Sequence, residues 1–235
     1  MTNKKIMKIF DNLLSLFYPR LCVACGDALQ QNEQHLCLHC MMHLPETNFH
    51  KNHDNPLMNI FAGRVKVEDV ASLLYYKKGN NVQHILHALK YKGQKEIGSF
   101  LGEYYGKMLA LEPRFQSVDY IVPIPLHPKK QRKRGYNQSE WFAKGLSAGM
   151  GKPYRTDILT RAQFTETQTK KSRFNRWENV KEVFVATEDN AVRRLHLLVC
   201  DDVLTTGATM EAAIQQLLTL PDVKVSVVTL ATAQG

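Results

Sequence analysis

Two adjacent carboxylates followed by a threonine-rich turn are the residues of this sequence best placed to bind a ligand. Asp201 and Asp202 follow an apolar run, and an apolar helical pattern resumes at Met210. The pattern predicts a buried strand, a turn and a helix, and ligands bind at the carboxyl ends of strands in open parallel sheets. The turn offers hydroxyls and free N–H groups at a helix N-terminus, a combination that binds phosphate.

This segment combines a turn suited to phosphate with a pair of carboxylates that would repel it. Gly207 permits positive φ and a close approach of the backbone to a ligand. Carboxylates repel phosphate, so the acid pair must face hydroxyls or a divalent cation, and a phosphorylated sugar satisfies both halves of the segment. The alternative is an ordinary strand, turn and helix with an Asp pair at the turn. Cys200 is predicted to be a buried strand residue rather than a nucleophile, because neighbouring carboxylates disfavour its thiolate.

A second group of residues has the spacing of a metal site: Cys22, Cys25, Cys37 and Cys40. Two Cys-x2-Cys pairs separated by eleven residues let four thiolates converge tetrahedrally on Zn²⁺. The segment is too short to bury a core alone, so a structural zinc ion would supply its folding free energy. His35, His39 and His43 lie close by and could substitute as ligands. Two disulfides are the alternative, and they would require an oxidising compartment.

The composition places the chain among soluble globular proteins, with 44% hydrophobic and 23% charged residues. A formal net charge of +9 points to anionic partners, which are phosphates, nucleic acid or a membrane surface. The 235 residues fit two units. We expect an amphipathic helix plus zinc ribbon over residues 1–45 and a larger domain over residues 60–235.

No apolar run approaches the ~18–20 residues that a transmembrane helix needs. Residues 1–18 have apolar side chains at helical spacing, interrupted by charges and without a small-residue cleavage site. This pattern predicts an amphipathic helix rather than a signal peptide, packed on the protein or against a membrane or partner. A cytoplasmic location follows.

Apolar strand patterns alternate with helical patterns along the rest of the chain. Strands are predicted over residues 65–76, 118–124, 195–200 and 223–230, with a short strand ending near 159. Helices are predicted over residues 82–89, 97–111, 138–150 and 210–220, and Asn137 with Glu140 forms a capping box for the third. The alternation predicts an α/β fold with a mostly parallel sheet flanked by helices. Residues 45–56 are polar and aperiodic, which indicates a linker.

Basic residues are concentrated in two segments. Five lie between Lys129 and Arg134, in a predicted loop after the strand that ends at Pro123-x-Pro125. A second group lies within residues 160–180 and consists of Arg161, Lys170, Lys171, Arg173 and Arg176. This long segment has no core-facing stripe, and such segments are usually functional. Both clusters are expected at the sheet edge that carries Asp201 and Asp202. The alternative for each is a solvated face.

The segment from Asp201 to Thr209 resembles the signature of type I phosphoribosyltransferases. The resemblance implies a phosphoribosyltransferase-like domain in which Asp201 and Asp202 hold the ribose hydroxyls of phosphoribosyl pyrophosphate, with Mg²⁺ accompanying the pyrophosphate. It implies that the turn wraps the 5′-phosphate of that ligand, through Thr205, Thr206, Gly207, Ala208 and Thr209.

Further motifs resemble the ComF family of competence proteins, over nearly the whole chain. They are Val122-Pro123-Ile124-Pro125-Leu126-His127-Pro128, Arg132-x-Arg134-Gly135-Tyr136-Asn137-Gln138, Leu159-x-Arg161, Thr165-x-x-Gln168, Arg173-x-x-Arg176-x-x-Asn179, the Lys90-Tyr91-Lys92-Gly93 turn and the four cysteines. One departure is Lys171-Ser172, where an apolar residue commonly precedes the serine.

The resemblance implies a pyrophosphate-binding loop after Pro123 and a flexible hood over residues 160–180. The residues that it assigns to pyrophosphate or DNA are Lys90, Lys92, Arg132, Arg134, Tyr136, Asn137, Gln138, Arg161, Gln168, Arg173 and Arg176.

The resemblance implies a role in natural transformation, with single-stranded DNA and other competence proteins as partners. Aromatic residues that could stack on bases are Tyr136, Trp141, Phe174 and Trp177. Two further hypotheses stay open. One is a metabolic phosphoribosyltransferase acting on a base or amine, and the other is a sensor that binds phosphoribosyl pyrophosphate without turnover. Chemistry at the anomeric carbon requires no covalent nucleophile, and none is assigned.

Overall fold

The computed structural model describes residues 19–161, 184–187 and 194–233. Its strands are β1 (Val70–Tyr76), β2 (Tyr120–Pro123), β3 (Leu159–Arg161), β4 (Phe184–Ala186), β5 (His196–Leu204) and β6 (Lys224–Ala233). Its α-helices are α1 (Leu38–Met42), α2 (Met58–Phe61), α3 (Asn81–Tyr91), α4 (Glu96–Ala110), α5 (Pro113–Gln116), α6 (Pro128–Arg134), α7 (Gln138–Met150) and α8 (Ala208–Leu217), and a 3₁₀ turn covers Phe49–Lys51. The amphipathic helix predicted over residues 1–18 lies outside the described residues.

Four strands form a parallel sheet in the order β1-β6-β5-β2. The central strands β5 and β6 are buried along most of their length, as expected of a parallel sheet covered on both faces. Leu198 and Cys200 of β5 pack with the layer formed by α3, α4 and α7, whereas Leu197 and Val199 pack with α8. The predicted α/β class with a parallel sheet flanked by helices is therefore confirmed.

Strand β5 is longer than the sequence indicates. The predicted strand ends at Cys200, but the parallel ladder with β6 continues, pairing Asp201 with Thr229 and Leu204 with Thr232. The two aspartates therefore lie within the last residues of the strand rather than beyond its end. Cys200 is fully buried and its pKa is raised by burial, as its assignment to the core predicted.

Residues 45–56 are not a linker. They run along the free edge of β1, where Thr47 donates its N–H to Leu73 (2.9 Å) and Tyr75 donates to Pro45 (2.8 Å). The amide of Asn55 donates to the carbonyl of Val70 at 3.0 Å. An uncovered edge strand exposes unpaired backbone groups, and this polar segment satisfies them. The linker prediction is wrong because a polar, aperiodic segment can still be held in place by hydrogen bonds to a strand elsewhere in the chain, here β1.

The basic segment after β2 is a short helix rather than a loop. Helix α6 begins with Pro128 behind the side-chain cap of His127 and ends at Gly135 in the left-handed region, which are ordinary helix boundaries. The strand predicted to end near 159 is β3, which continues to Arg161 and pairs antiparallel with β4. At α7, the Asn137 side chain accepts from the Ser139 N–H (3.2 Å), so Asn137 is the N-cap. Among the described hydrogen bonds none joins Asn137 to Glu140, so the capping box itself is not confirmed.

Helices α4 and α7 approach each other through glycines. A Cβ atom at Gly102 would collide with the carbonyl oxygen of Phe142, and one at Gly145 would collide with that of Ser99. Glycine at these two positions therefore permits backbone-to-backbone packing and fixes where the amino end of α7 meets the sheet. Within the described residues, no helix has both the length and the apolar character needed to cross a bilayer.

Candidate functional site

A cavity of about 500 Å³ opens at the carboxyl edge of the sheet. It lies between the end of α3, the β2–α6 connection, the amino end of α7 and the end of β5. Such volumes suit small-molecule ligands. Its polar and charged lining consists of Lys90, Tyr91, Lys130, Lys133, Arg134, Gln138, Ser139, Arg161, Asp201, Asp202 and Thr209.

The acid pair is engaged from two helices. Ser139, the second residue of α7, donates its hydroxyl to Asp201 Oδ1 at 2.6 Å, and the Asp202 N–H donates to the same oxygen at 2.8 Å. Lys90 Nζ of α3 lies 2.9 Å from Asp202 Oδ2, and the Asp202 side chain is only 7% exposed. The two carboxylates therefore have different partners, an alcohol for one and an ammonium group for the other.

The environment of Asp201 favours its neutral form. Burial, and then the charge of Asp202, raise the pKa of Asp201 to about 7, while the Ser139 hydroxyl, the Asp202 N–H and Lys90 act in the opposite direction. Ionising this carboxyl group costs free energy. Carboxyl groups with such raised pKa values are common at binding sites.

The threonine-rich turn follows β5 directly. Gly207 has φ +77° and precedes α8, and a Cβ atom there would lie 2.6 Å from Ile60 Cγ2. Arg64 braces the turn, donating to the Thr206 carbonyl at 3.3 Å and pairing with Glu211 at 2.6 Å. The turn therefore has a fixed shape that only glycine permits at its last position.

The turn forms a second, smaller cavity of about 70 Å³. Asp201 and Thr209 line both cavities, so the two spaces share a rim. The lining of the small cavity includes the predicted phosphate residues Thr205, Thr206, Gly207, Ala208 and Thr209. A ligand at this rim would have an anion-binding turn at one end and carboxylates beside it.

The lining of the large cavity is mostly basic. Five cationic side chains line it together with the two carboxylates: Lys90, Lys130, Lys133, Arg134 and Arg161. We name the three on α6, which are Lys130, Lys133 and Arg134, the basic wall. Arg134 donates to the side-chain oxygen of Gln138, and Arg161 donates to the Pro125 carbonyl at 3.4 Å. The lining of the cavity therefore carries an excess of positive charge, which suits a ligand with several negative charges.

Four of the predicted pyrophosphate or DNA residues line the cavity: Lys90, Arg134, Gln138 and Arg161. Lys92 and Arg132 are exposed outside that lining. Tyr136 and Asn137 have internal partners instead, since the Tyr136 hydroxyl donates to the Leu89 carbonyl and the Asn137 amide donates to the Ile124 carbonyl at 3.0 Å. The remaining candidates lie outside the described residues, namely Gln168, Arg173 and Arg176.

Sequence reasoning missed Ser139 as a site residue. Its signal is a hydroxyl at the second position of a helix that follows a parallel strand, and that helix end points to the same sheet edge as Asp201. The prediction also left Lys130 and Lys133 out of the site, although both line the cavity. The short helix α6 places them there, whereas a loop would have left their positions undefined.

The four cysteines form a separate cluster. The sulfur atoms of Cys22, Cys25, Cys37 and Cys40 all lie within 4.8 Å of one another, and those of Cys25 and Cys37 are 3.8 Å apart. Tetrahedral thiolate ligands at the usual Zn–S length would be separated by about 3.8 Å. All four are free thiols, so the cluster could bind a metal such as zinc.

Hydrogen bonds favour thiolate character at one of the four sulfurs. Burial raises the pKa of Cys22, but the N–H groups of Cys25, Cys37 and Ala24 outweigh it and lower the pKa to about 7. The thiolate is the form that binds metal. The cysteine module also packs on the larger domain, where His84 Nδ1 lies 2.7 Å from the Ala24 carbonyl oxygen and Asn81 donates to Cys40 Sγ at 3.8 Å.

These features define an α/β protein with a parallel sheet, a charged cavity at its carboxyl edge and a cysteine module able to bind a metal ion. No protein-family model matches the chain. An adenine phosphoribosyltransferase from Leishmania tarentolae superimposes with a TM-score of 0.38 and 13% identity, over 64% of this chain and 74% of that one. A likeness at this level does not by itself establish a shared fold.

Sequence relatives are more informative. The chain is 33% identical over 137 residues to the DNA utilization protein YhgH of Salmonella typhimurium. It is 35% identical over 91 residues to competence protein F of Haemophilus influenzae, and 28% identical over 144 residues to competence protein ComFC of Bacillus subtilis. These homologues confirm the resemblance to ComF-type proteins that the motifs predicted.

The similarity is partial in length. The matched regions cover 57%, 38% and 61% of this chain and 59%, 40% and 56% of the respective relatives. The chain therefore spans less than two thirds of the length of each relative that it matches.

Neutralising Asp201 should stabilise the protein at alkaline pH. The folded-state pKa of Asp201, about 7, exceeds the unfolded value of about 4. The protonated carboxyl therefore contributes its full free energy of unfolding below pH 4, and this contribution is lost as pH rises through 7. Asp201→Asn avoids that loss and should gain about 1–2 kcal/mol in free energy of unfolding at pH 8, with no gain at pH 4. Urea titrations at both pH values measure the difference.

The control is Asp157→Asn, because a hydrogen bond from Arg155 lowers the pKa of Asp157. The stability that this carboxylate contributes is lost only as pH falls below 4 through its lowered pKa, so Asp157→Asn should lose a similar amount of stability at pH 8 and at pH 4. Equal changes for Asp201→Asn at both pH values would contradict the environment assigned to Asp201.

The cysteine cluster should hold one metal ion per chain. Cys25→Ser, at the exposed ligand, should lower the metal content of purified protein to less than about half an equivalent. Metal released by a mercurial reagent and measured with a colorimetric chelator gives the stoichiometry. Cys200→Ala removes the cysteine outside the cluster and should retain a full equivalent. Unchanged metal content in Cys25→Ser, or none in the parent protein, would contradict the assignment.

Proposed function

We propose that this chain is a ComF-type protein that binds phosphoribosyl pyrophosphate and single-stranded DNA in natural transformation. The observation that carries the ligand assignment is the shared rim, where Asp201 and Thr209 line both the small anion-binding turn and the large cavity. A ligand there needs hydroxyls for the carboxylates and a phosphate for the turn. A ribose 5-phosphate unit has both.

The basic wall accounts for the second anionic group. Lys130, Lys133 and Arg134 line the large cavity together with the acid pair, and we assign them to a pyrophosphate on the anomeric carbon of the ribose. This placement assigns the 5′-phosphate to the threonine-rich turn and the pyrophosphate to the wall. The distribution of charge thus fits a sugar that carries phosphate at two ends.

Magnesium fits this site as a companion of the pyrophosphate. Mg²⁺ prefers oxygen ligands and keeps several waters, often binding through substrate phosphates and one or two carboxylates. The ammonium group of Lys90 already lies against Asp202, so the acid pair is better suited to sugar hydroxyls. When bound, the ion would neutralise charge on the pyrophosphate.

The DNA assignment rests on the relatives and on charge. One relative is named for DNA utilization and two are named for competence, and this chain carries a net charge of +9. Phosphate contacts by lysine and arginine supply most sequence-independent affinity for nucleic acid. We also propose Zn²⁺ as the structural ion of the cysteine cluster, a cytoplasmic location and other competence proteins as partners.

Calorimetric titration with phosphoribosyl pyrophosphate and Mg²⁺ tests the ligand assignment. At pH 8, where Asp201 is ionised, Asp201→Asn and Asp202→Asn should each weaken binding at least about tenfold, because a hydrogen bond to a charged group contributes about 1.5–3 kcal/mol. Asp222→Asn, at an exposed carboxylate, is the control and should bind like the parent protein. Heat capacity scans confirm that each variant is folded.

Absence of binding in the parent protein, or unchanged affinity in both site variants, would overturn the ligand assignment. Pyrophosphate release with a panel of bases and amines would identify an active transferase. Binding without release in any mixture would favour a carrier or sensor of the same ligand.

The DNA assignment predicts a strong dependence of affinity on salt. The logarithm of the association constant for a mixed-sequence oligonucleotide should fall linearly with the logarithm of salt concentration, with a slope of about 0.7 per phosphate contacted. Fluorescence anisotropy at several salt concentrations measures this slope. No binding to single strands at low salt would remove the DNA half of the proposal.

A further inference from the structure

One aromatic side chain at the mouth of the cavity lies outside the hydrophobic core. Tyr91 is the last residue of α3, is 70% exposed and lines the cavity beside Asp202 and the basic wall. Among the exposed large hydrophobic residues of the described chain, it is the only aromatic one. The next turn opens at Gly93, where a Cβ atom would meet nothing within 4 Å, so the space beside Tyr91 is accessible.

The ring of Tyr91 is held by cationic and aromatic neighbours. The guanidinium carbon of Arg134 lies 5.5 Å from the ring centroid, and the ring of His87 lies 5.2 Å away at 46°. These contacts limit the rotation of the side chain while most of its surface stays exposed. An aromatic ring oriented beforehand loses less conformational entropy when it binds a planar group.

We propose that Tyr91 is a stacking platform for a base of single-stranded DNA at the mouth of the cavity. The inference rests on the proposed function and adds the residue that contacts the base. Non-specific single-strand binding combines a basic groove for the backbone with aromatic rings on which bases stack. Here Tyr91 supplies the ring, and the exposed Lys92 and Arg132, which lie outside the cavity lining, are the cations for the DNA backbone.

The structure distinguishes Tyr91 from the aromatic residues that the sequence suggested. Tyr136 is half-buried and its hydroxyl bonds to the Leu89 carbonyl. Trp141 is half-buried, and the ammonium groups of Lys95 and Lys144 lie 4.6 and 4.9 Å from its ring centroid. Both rings are less exposed than that of Tyr91, and neither lines the cavity. Phe174 and Trp177 lie outside the described residues.

The test pairs a change in the protein with a change in the DNA. The affinities of the parent protein and of Tyr91→Ala are measured by anisotropy for a labelled single strand and for a strand of the same length with abasic sites. The parent protein should bind the normal strand about 5- to 100-fold more tightly than Tyr91→Ala does, since stacking contributes about 1–3 kcal/mol per base. On the abasic strand the two proteins should bind equally.

Two further variants separate stacking from simple loss of a side chain. Tyr91→Phe keeps the ring and should bind the normal strand within about twofold of the parent protein, while Tyr91→Leu should resemble Tyr91→Ala. Leu111→Ala, at an 80% exposed side chain that carries no charge, is the surface control and should leave the affinity for the strand unchanged. A 2-aminopurine base in the strand should lose fluorescence on binding the parent protein and lose less with Tyr91→Leu.

The outcomes distinguish this inference from the proposed function. Equal losses of affinity on normal and abasic strands, or no loss in Tyr91→Ala, would overturn the stacking role while leaving DNA binding intact. A parent protein that binds no single strand would overturn both. Phosphoribosyl pyrophosphate carries no base, so a loss of affinity for that ligand in Tyr91→Ala as large as the loss for the normal strand would place Tyr91 in the sugar-phosphate site instead and overturn the stacking role.

Discussion

Adjacent aspartates at the buried end of a strand depend on partners from two separate helices. Ser139 of α7 donates to Asp201 at 2.6 Å, and Lys90 of α3 lies 2.9 Å from Asp202. A buried carboxylate without such partners would cost several kcal/mol. The site therefore exists only when β5, α3 and α7 are packed together, and this packing links the binding chemistry to the folding of the whole domain.

Two structural devices fix that packing. Glycines at the crossing of α4 and α7, such as Gly102 and Gly145, let the two backbones touch and position the amino end of α7 over the sheet. On the other side, Ile60 packs against Gly207 and Arg64 holds the Thr206 carbonyl. The segment before the sheet therefore shapes the threonine-rich turn, in addition to covering the edge of β1.

The cavity brings opposite charges together and keeps an excess of positive charge. Five cations and two carboxylates line it, and one carboxylate, Asp201, has a pKa raised by burial and by its neighbour. Residues arranged for ligand binding commonly reduce stability. A ligand with hydroxyls and phosphates would satisfy both sets of groups at once. In the proposed complex, the exposed ring of Tyr91 would extend the same surface toward an unpaired base.

Local patterns in the sequence determined the four cysteine ligand candidates, the acid pair with its threonine-rich turn, the main helices and the parallel sheet. Each of these depends on periodicity, capping or short spacing. Only the tertiary structure decided that residues 45–56 cover β1, that Ser139 and Lys90 meet the aspartates, and that Tyr91 faces the cavity while Tyr136 does not. Those contacts join residues far apart in the chain, and their free energy depends on burial and on partners that no local pattern contains.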